Sequence, residues 1–287
     1  MGAVLRAIVE PGFFSSSEVR LALAVGTIVA LVAATAGVFT VIRGQAFAGE
    51  ALGDIGATGG SSAYLAGIGA LWGFLGISVA AAAAMELIGI QRARGRDLAT
   101  GIVLGAGFGL AALFLYLATL NQSTTGAIPT ILFGSIFFLS TSNLPLVLGF
   151  GAVTVAALAV VYRPLLLSSV SPELAAARGI PVRLVGFVYL LAMAVAVALS
   201  ALTIGAILST ALLVGPAATA LRLTTRPGQA IAVAGAVGVA ATWLGVLLSW
   251  DSYYWPPQHH GWTASFLIVA LVMLAYLGSG LVARRRS

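Results

Sequence analysis

The chain has 287 residues, 60% of them hydrophobic and only 8% charged, and its 14 basic and 8 acidic side chains give a formal net charge of +6. An ordinary soluble domain is about 25% charged, so this composition excludes a soluble globular enzyme and points to an all-α, polytopic membrane protein. Every basic residue is Arg and Cys is absent, which excludes a Walker-type phosphate loop, Schiff-base catalysis, thiolate metal sites and disulfides. If ATP drives this protein, another polypeptide binds it. The 35 glycines suit helices that approach closely in a membrane.

A bilayer core takes about 20 apolar residues per helix. Apolar segments fall at 19–42, 45–67, 70–90, 98–120, 144–163, 184–204, 206–222, 229–249 and 263–282. They predict nine transmembrane helices, with eight as the alternative count because the second is rich in Gly and Ser and carries two acids. Residues 1–18 lack the basic-then-apolar layout of a signal peptide and are read as an N-terminal extracytoplasmic segment. Residues 19–287 form a single transmembrane domain. Arg collects on the cytoplasmic side of membranes. Arg43, then Arg92, Arg94 and Arg96, then Arg163, Arg178 and Arg183, then Arg222 and Arg226, and finally Arg284, Arg285 and Arg286 all fall on one side of a nine-helix arrangement. Residues 121–143 and 250–262 on the other side contain no Arg. This puts the N-terminus outside and the C-terminus in the cytoplasm.

Glu50 and Asp54 stand four apart, so a helix carries them on one face. If Arg43 marks the interface, they lie roughly 10 Å and 16 Å deeper, at about 1.5 Å per residue. Each acid at mid-bilayer costs about 2.5–3.5 kcal/mol even on the lenient insertion scale. A divalent cation would relieve both that cost and their mutual repulsion. The competing readings are a protonated acid, a pairing with Arg, or a shallower position.

Three other features carry weaker signals. The loop 250–262 holds Asp251 and the chain's two histidines, His259 and His260. These could capture a metal at the outer mouth, although adjacent side chains rarely ligate one ion, and a solvated polar loop is the simpler reading. Ser171-Pro172-Glu173-Leu174-Ala175-Ala176-Ala177-Arg178-Gly179-Ile180-Pro181 reads as a short cytoplasmic helix. Ser171 would be its N-cap, Pro172 its first residue, Glu173 would suit the dipole, and Gly179 with Pro181 would end it. It is either a loop stiffener or a knob for a cytosolic partner. Gly215-Pro216 should break the ladder of the seventh span. Glu86 near Arg92 is read as snorkelling or paired.

Ile131-Leu132-Phe133-Gly134-Ser135-Ile136, the stretch Arg163-Pro164-Leu165-Leu166-Leu167 followed by Ser171 to Arg183, and Pro216-Ala217-Ala218-Thr219-Ala220 together resemble the membrane subunit of bacterial ABC importers for manganese, zinc and iron. The resemblance spans about residues 20 to 280. It implies a non-catalytic permease of the bacterial inner membrane that forms a homodimer and moves Mn²⁺ or Zn²⁺ by alternating access. It further implies a separate cytoplasmic ATPase docked on the coupling helix 171–181 and an extracytoplasmic binding protein that delivers the metal, with membrane lipid around the dimer and no nucleic-acid partner. In that family an acid in the second span is followed four residues later by His, and the pair contacts the metal. Glu50 matches the acid, and Asp54 stands where His is usual, which shifts the expected preference towards Mn²⁺. The alternative function is an ion-coupled secondary carrier using Glu50 and Asp54 as a proton or cation site.

Overall fold

A computed structural model describes residues 13–88, 96–122, 126–134, 136–253 and 261–284. His259, His260, Arg92, Arg94, Arg285, Arg286 and most of the N-terminal segment lie outside the described residues. The described chain is helical throughout: α1 (Ser17–Ile42), α2 (Ala46–Leu65), α3 (Ala70–Ile88), α4 (Arg96–Gln122), α5 (Ala127–Phe133), a 3₁₀ turn (Ile136–Phe138), α6 (Asn143–Val160), α7 (Tyr162–Val170), α8 (Pro172–Ala177), α9 (Val182–Ile204), α10 (Ala206–Leu223), α11 (Pro227–Ser252) and α12 (Ala264–Arg284). All nine apolar segments of the sequence are helices here. Seven of them, α1, α4, α6, α9, α10, α11 and α12, are long and apolar enough to cross a membrane. The apolar part of α3, Ala70–Glu86, is shorter, and α2 is the polar helix.

The centre of the bundle is α9. From Ala192 to Ile204 every residue except Val195 is buried, and α1, α2, α3, α6 and α10 pack around it. The largest buried side chains, among them Phe39, Leu52, Phe74, Met85, Met193, Leu199 and Leu213, form one continuous core. With no water available, hydroxyls inside the bundle must find partners within it. Thr27, Thr154, Thr219 and Thr242 each donate to the carbonyl four residues back.

Two backbone contacts set the geometry. A Cβ on Gly59 of α2 would collide with the carbonyl of Gly73 on α3, and one on Gly73 with the carbonyl of Gly59, so these helices touch main chain to main chain. Between α9 and α10 the chain turns at Gly205, with φ +92°. Its Cα faces the Leu132 carbonyl, while Gly134, at φ +81°, faces the carbonyl of Thr203. Only glycine fits both the left-handed backbone and the close approach. Pro216 has no amide to donate, so the ladder lacks one bond there, as expected. The helix α10 nevertheless continues through Pro216, held on several sides, a setting in which proline is tolerated.

This packing makes a paired prediction on α3. A Cβ at Gly73 meets backbone, whereas Gly76 has open space within 4 Å. Gly73→Val should lower the unfolding temperature of the detergent-solubilised protein, reflecting overpacking of about 1–3 kcal/mol. Gly76→Val should leave it unchanged. Equal melting of the two variants would contradict the main-chain contact.

Candidate functional site

The polar helix α2 is inserted among apolar neighbours, packed chiefly against α3 and α4. Glycines on its sides admit those neighbours. A Cβ on Gly53 would lie 3.0 Å from the Ser209 Oγ of α10 and 3.5 Å from Val197 of α9. On the opposite flank Gly107 of α4 abuts the backbone of Asp54 and Ile55, and Thr58 donates to the Gly107 carbonyl at 2.7 Å.

Between these flanks stand the two acids. Glu50 is half-buried, and Asp54, one turn further along, is 4% exposed. Four residues along a helix is a rise of about 6 Å, so the two acids stand one turn apart on α2. Glu50 opens into a groove of about 650 Å³ between α2, α10 and α12, whose walls include Phe47, Thr210, Val214, Val272, Met273 and Tyr276. Among the groove's described lining residues Glu50 carries the only charge. Arg222 lies 3.7 Å from the ring centre of Tyr276 and donates to its hydroxyl, at the arginine-bearing end of α10 and α12. Asp54 is not among the residues that line the groove. A separate apolar void of about 40 Å³ is bordered by Ala57, one turn further along α2, with Leu132, Phe108, Ala111 and Ala206. Of the two carboxylates, Glu50 reaches the groove and Asp54 is buried.

Among the described residues no group of three or more His, Asp and Glu comes together. Glu50 and Asp54 are a pair that supplies carboxylate oxygen, suited to a hard divalent cation whose remaining ligands are water or main-chain oxygen. Asp251 belongs to a different place. It lies in the last turn of α11, where Ser249 donates to the Trp262 carbonyl at 2.6 Å and the Trp262 amide donates to Ser252 at 2.8 Å. Those bonds pin the return of the 250–262 loop. Glu86 lies near the C-terminal end of α3.

The segment 171–181 has the capped form that its residues predict. Ser171 caps α8 by accepting from the Leu174 amide at 3.3 Å, and Pro172 occupies the first turn. At the other end the Gly179 amide donates to Ala176 and the Ile180 amide to Ala175, with Gly179 at φ +76°. This is a Schellman closure. Ala175 is buried against the bundle, while Pro172, Glu173, Leu174, Ala176, Ala177, Arg178 and Gly179 are exposed. A rigid two-sided cap on so short a helix presents Glu173, Leu174 and Arg178 in a fixed arrangement.

One polar cluster escaped the sequence reading. The fully buried Tyr189 of α9 places its hydroxyl 2.8 Å from the Thr40 hydroxyl of α1 and 3.3 Å from Met193 Sδ. Arg43, the C-cap of α1, lies over the Tyr189 ring at 5.1 Å and donates to Ser168 and Ser169 of α7. The signal available in sequence was a lone Arg ending a span, and it served only as an interface marker.

This architecture, with seven helices among the described residues long and apolar enough to cross a membrane, is that of a multi-pass membrane protein. The chain belongs to the ABC 3 transport family, which it matches over residues 16–283. It is 31% identical over 235 residues to the manganese transport system membrane protein MntC of Halalkalibacterium halodurans, covering 82% of this chain and 80% of that protein. It is 24% identical over 238 residues to the manganese import system permease protein ScaB of Streptococcus parasanguinis, covering 83% and 82%. Its fold resembles that of PsaBC from Streptococcus pneumoniae, solved in complex with Fab, with a TM-score of 0.78 at 23% identity over 97% of this chain and 95% of that one.

The cap of α8 generates a local prediction. Ser171→Ala should cost the helix about 1 kcal/mol and speed amide hydrogen exchange across residues 172–178, leaving the rest of the bundle unchanged. Unaltered exchange in that segment would show that the hydroxyl does not hold the helix start.

Proposed function

We propose that this chain is the permease subunit of an ATP-driven importer of a divalent metal ion, with Mn²⁺ as the favoured cargo and Glu50 and Asp54 as the transient ligands. The observation that carries the reading is the pair of carboxylates one turn apart on α2, Glu50 lining an otherwise uncharged groove and Asp54 buried. Such a pair favours a passing cation over a permanent partner, because intramembrane acids otherwise face a large desolvation cost. The manganese relatives support the metal class, and the family supports ATP hydrolysis on a separate subunit. Zn²⁺ favours four ligands including nitrogen or sulfur, which this pair lacks.

In this reading the chain crosses the membrane nine times, with residues 1–18 outside and the C-terminus in the cytoplasm, so the loops bearing Arg43, Arg163, Arg178, Arg183, Arg222 and Arg226 face inward. The groove then releases inward. An extracytoplasmic binding protein delivers the ion from the opposite side. The apolar wall of α2, α10 and α12 exposes Phe47, Ile207 and Met273, which suits a second copy of the chain enclosing the path. The segment 171–181 is the contact for the ATPase, through Ser171, Pro172, Glu173, Leu174, Ala175, Ala176, Ala177, Arg178 and Gly179. In this reading Asp251, His259 and His260 form an outer capture point for the metal. A secondary carrier finds no support in the family.

Glu50→Gln and Asp54→Asn should each reduce Mn²⁺ uptake by more than the roughly 10–100-fold typical of losing a mere supporting partner of a metal ligand, with membrane abundance unchanged. Asp54→His should recreate the acid–His pair usual in the family and move uptake competition towards Zn²⁺. Normal Mn²⁺ uptake in the double variant would refute the site.

A further inference from the structure

Arg43 occupies a place that neither the metal site nor the docking helix accounts for. Its Nη1 donates to the Ser168 hydroxyl at 3.4 Å and the Ser169 hydroxyl at 3.3 Å. Both serines already donate to the Leu165 carbonyl, so their free lone pairs face the guanidinium. They form the last turn of α7, and the Ser171 amide that opens α8 is bonded to Leu167 in that same turn, at 2.9 Å. A displacement of α8 is therefore felt at Ser168 and Ser169.

From Arg43 two routes lead to the start of α2. One is covalent. Arg43, Gly44 and Gln45 are the whole connection between α1 and α2, and Glu50 lies in the second turn of α2. Gly44 has φ +61° with nothing within 4 Å of the Cβ position, so the turn has room to swing. The other route is through packing. The guanidinium lies over Tyr189, whose hydroxyl contacts Met193 Sδ, and that sulfur is 3.9 Å from the Cβ position of Gly49. Gly49 directly precedes Glu50.

The same turn holds two buried polar atoms without a hydrogen-bond partner, Arg43 Nε and Gln45 Oε1. A donor and an acceptor left unmatched on either side of a free glycine suit an element with a second arrangement. Such an element is the physical requirement for coupling between distant sites.

We propose that Arg43 is the positioning residue that transmits movement of the 171–181 helix to the carboxylate helix α2, by tying Ser168 and Ser169 to the Arg43–Gln45 turn. This rests on the reading of 171–181 as the ATPase contact and of Glu50 and Asp54 as the metal site. The role is mechanical and electrostatic: Arg43 touches neither the ion nor the ATPase.

The test uses the full complex of permease, ATPase and binding protein in liposomes, with Mn²⁺ uptake and phosphate release measured together. Three variants are compared with wild type: Arg43→Met, which keeps the stem and loses the donors; Arg43→Lys, which keeps the charge; and the double variant Ser168→Ala/Ser169→Ala, which leaves Arg43 in place. All three should retain wild-type amounts of bound ATPase and continue to hydrolyse ATP. Mn²⁺ moved per ATP should fall about tenfold in Arg43→Met and in the serine double variant, within the range typical of coupling between sites, and less in Arg43→Lys. A transport-to-hydrolysis ratio equal to wild type in the serine double variant would overturn the proposal, whether or not Arg43→Met reaches the membrane. Loss of bound ATPase in Arg43→Met would also overturn it, by making Arg43 part of the docking surface. A wild-type complex that captures no ATPase, or moves no Mn²⁺, would instead remove the functional reading beneath it.

Discussion

A carboxylate carried into a hydrocarbon layer must be neutralised, and α2 carries two of them one helical turn apart. That constraint organises the surrounding bundle. The helix is studded with glycine because neighbours must approach closely enough to exclude lipid from it. Gly59 meets Gly73 main chain to main chain, Gly53 admits Ser209, and the backbone at Asp54 rests on Gly107. On its open side Glu50 meets a groove. In the proposed reading, a cation reaches the pair through that groove.

The 171–181 segment is built on a different principle. The helix α8 is short, yet both its ends are closed by hydrogen bonds, Ser171 at the start and Gly179 at the finish. Its neighbour in the chain is α7, whose two serines meet Arg43 at the turn into α2. Few residues thus separate the exposed α8 from the helix that carries Glu50 and Asp54.

Much of this was legible in the sequence, for local reasons. Apolar runs of bilayer length marked the nine segments that the structure shows as helices. The separation of four placed Glu50 and Asp54 on one face. Ser171, Pro172 and Gly179 announced the ends of α8, because capping depends on residues adjacent in the chain. Features made by distant residues were not legible. Thr40 meets Tyr189 across 149 positions, and Arg43 meets Ser168 across 125; no periodicity encodes either. The gap at Gly205 was visible as a boundary between two apolar runs, but its cause, the crossing with Gly134, was not. Pro216 removes one hydrogen bond locally, as its sequence implies, and the packing around α10 keeps the residues on either side helical. His259 and His260 lie outside the described residues.

The central claim is that one divalent ion sits between these two carboxylates. Anomalous diffraction at the manganese edge, from crystals of the permease–ATPase complex grown with Mn²⁺, tests it directly. The account predicts a peak within coordinating distance of both Glu50 and Asp54, at about 2.0–2.6 Å as for divalent cations on oxygen ligands. A peak confined to the 250–262 loop, or one that touches neither acid, would contradict it.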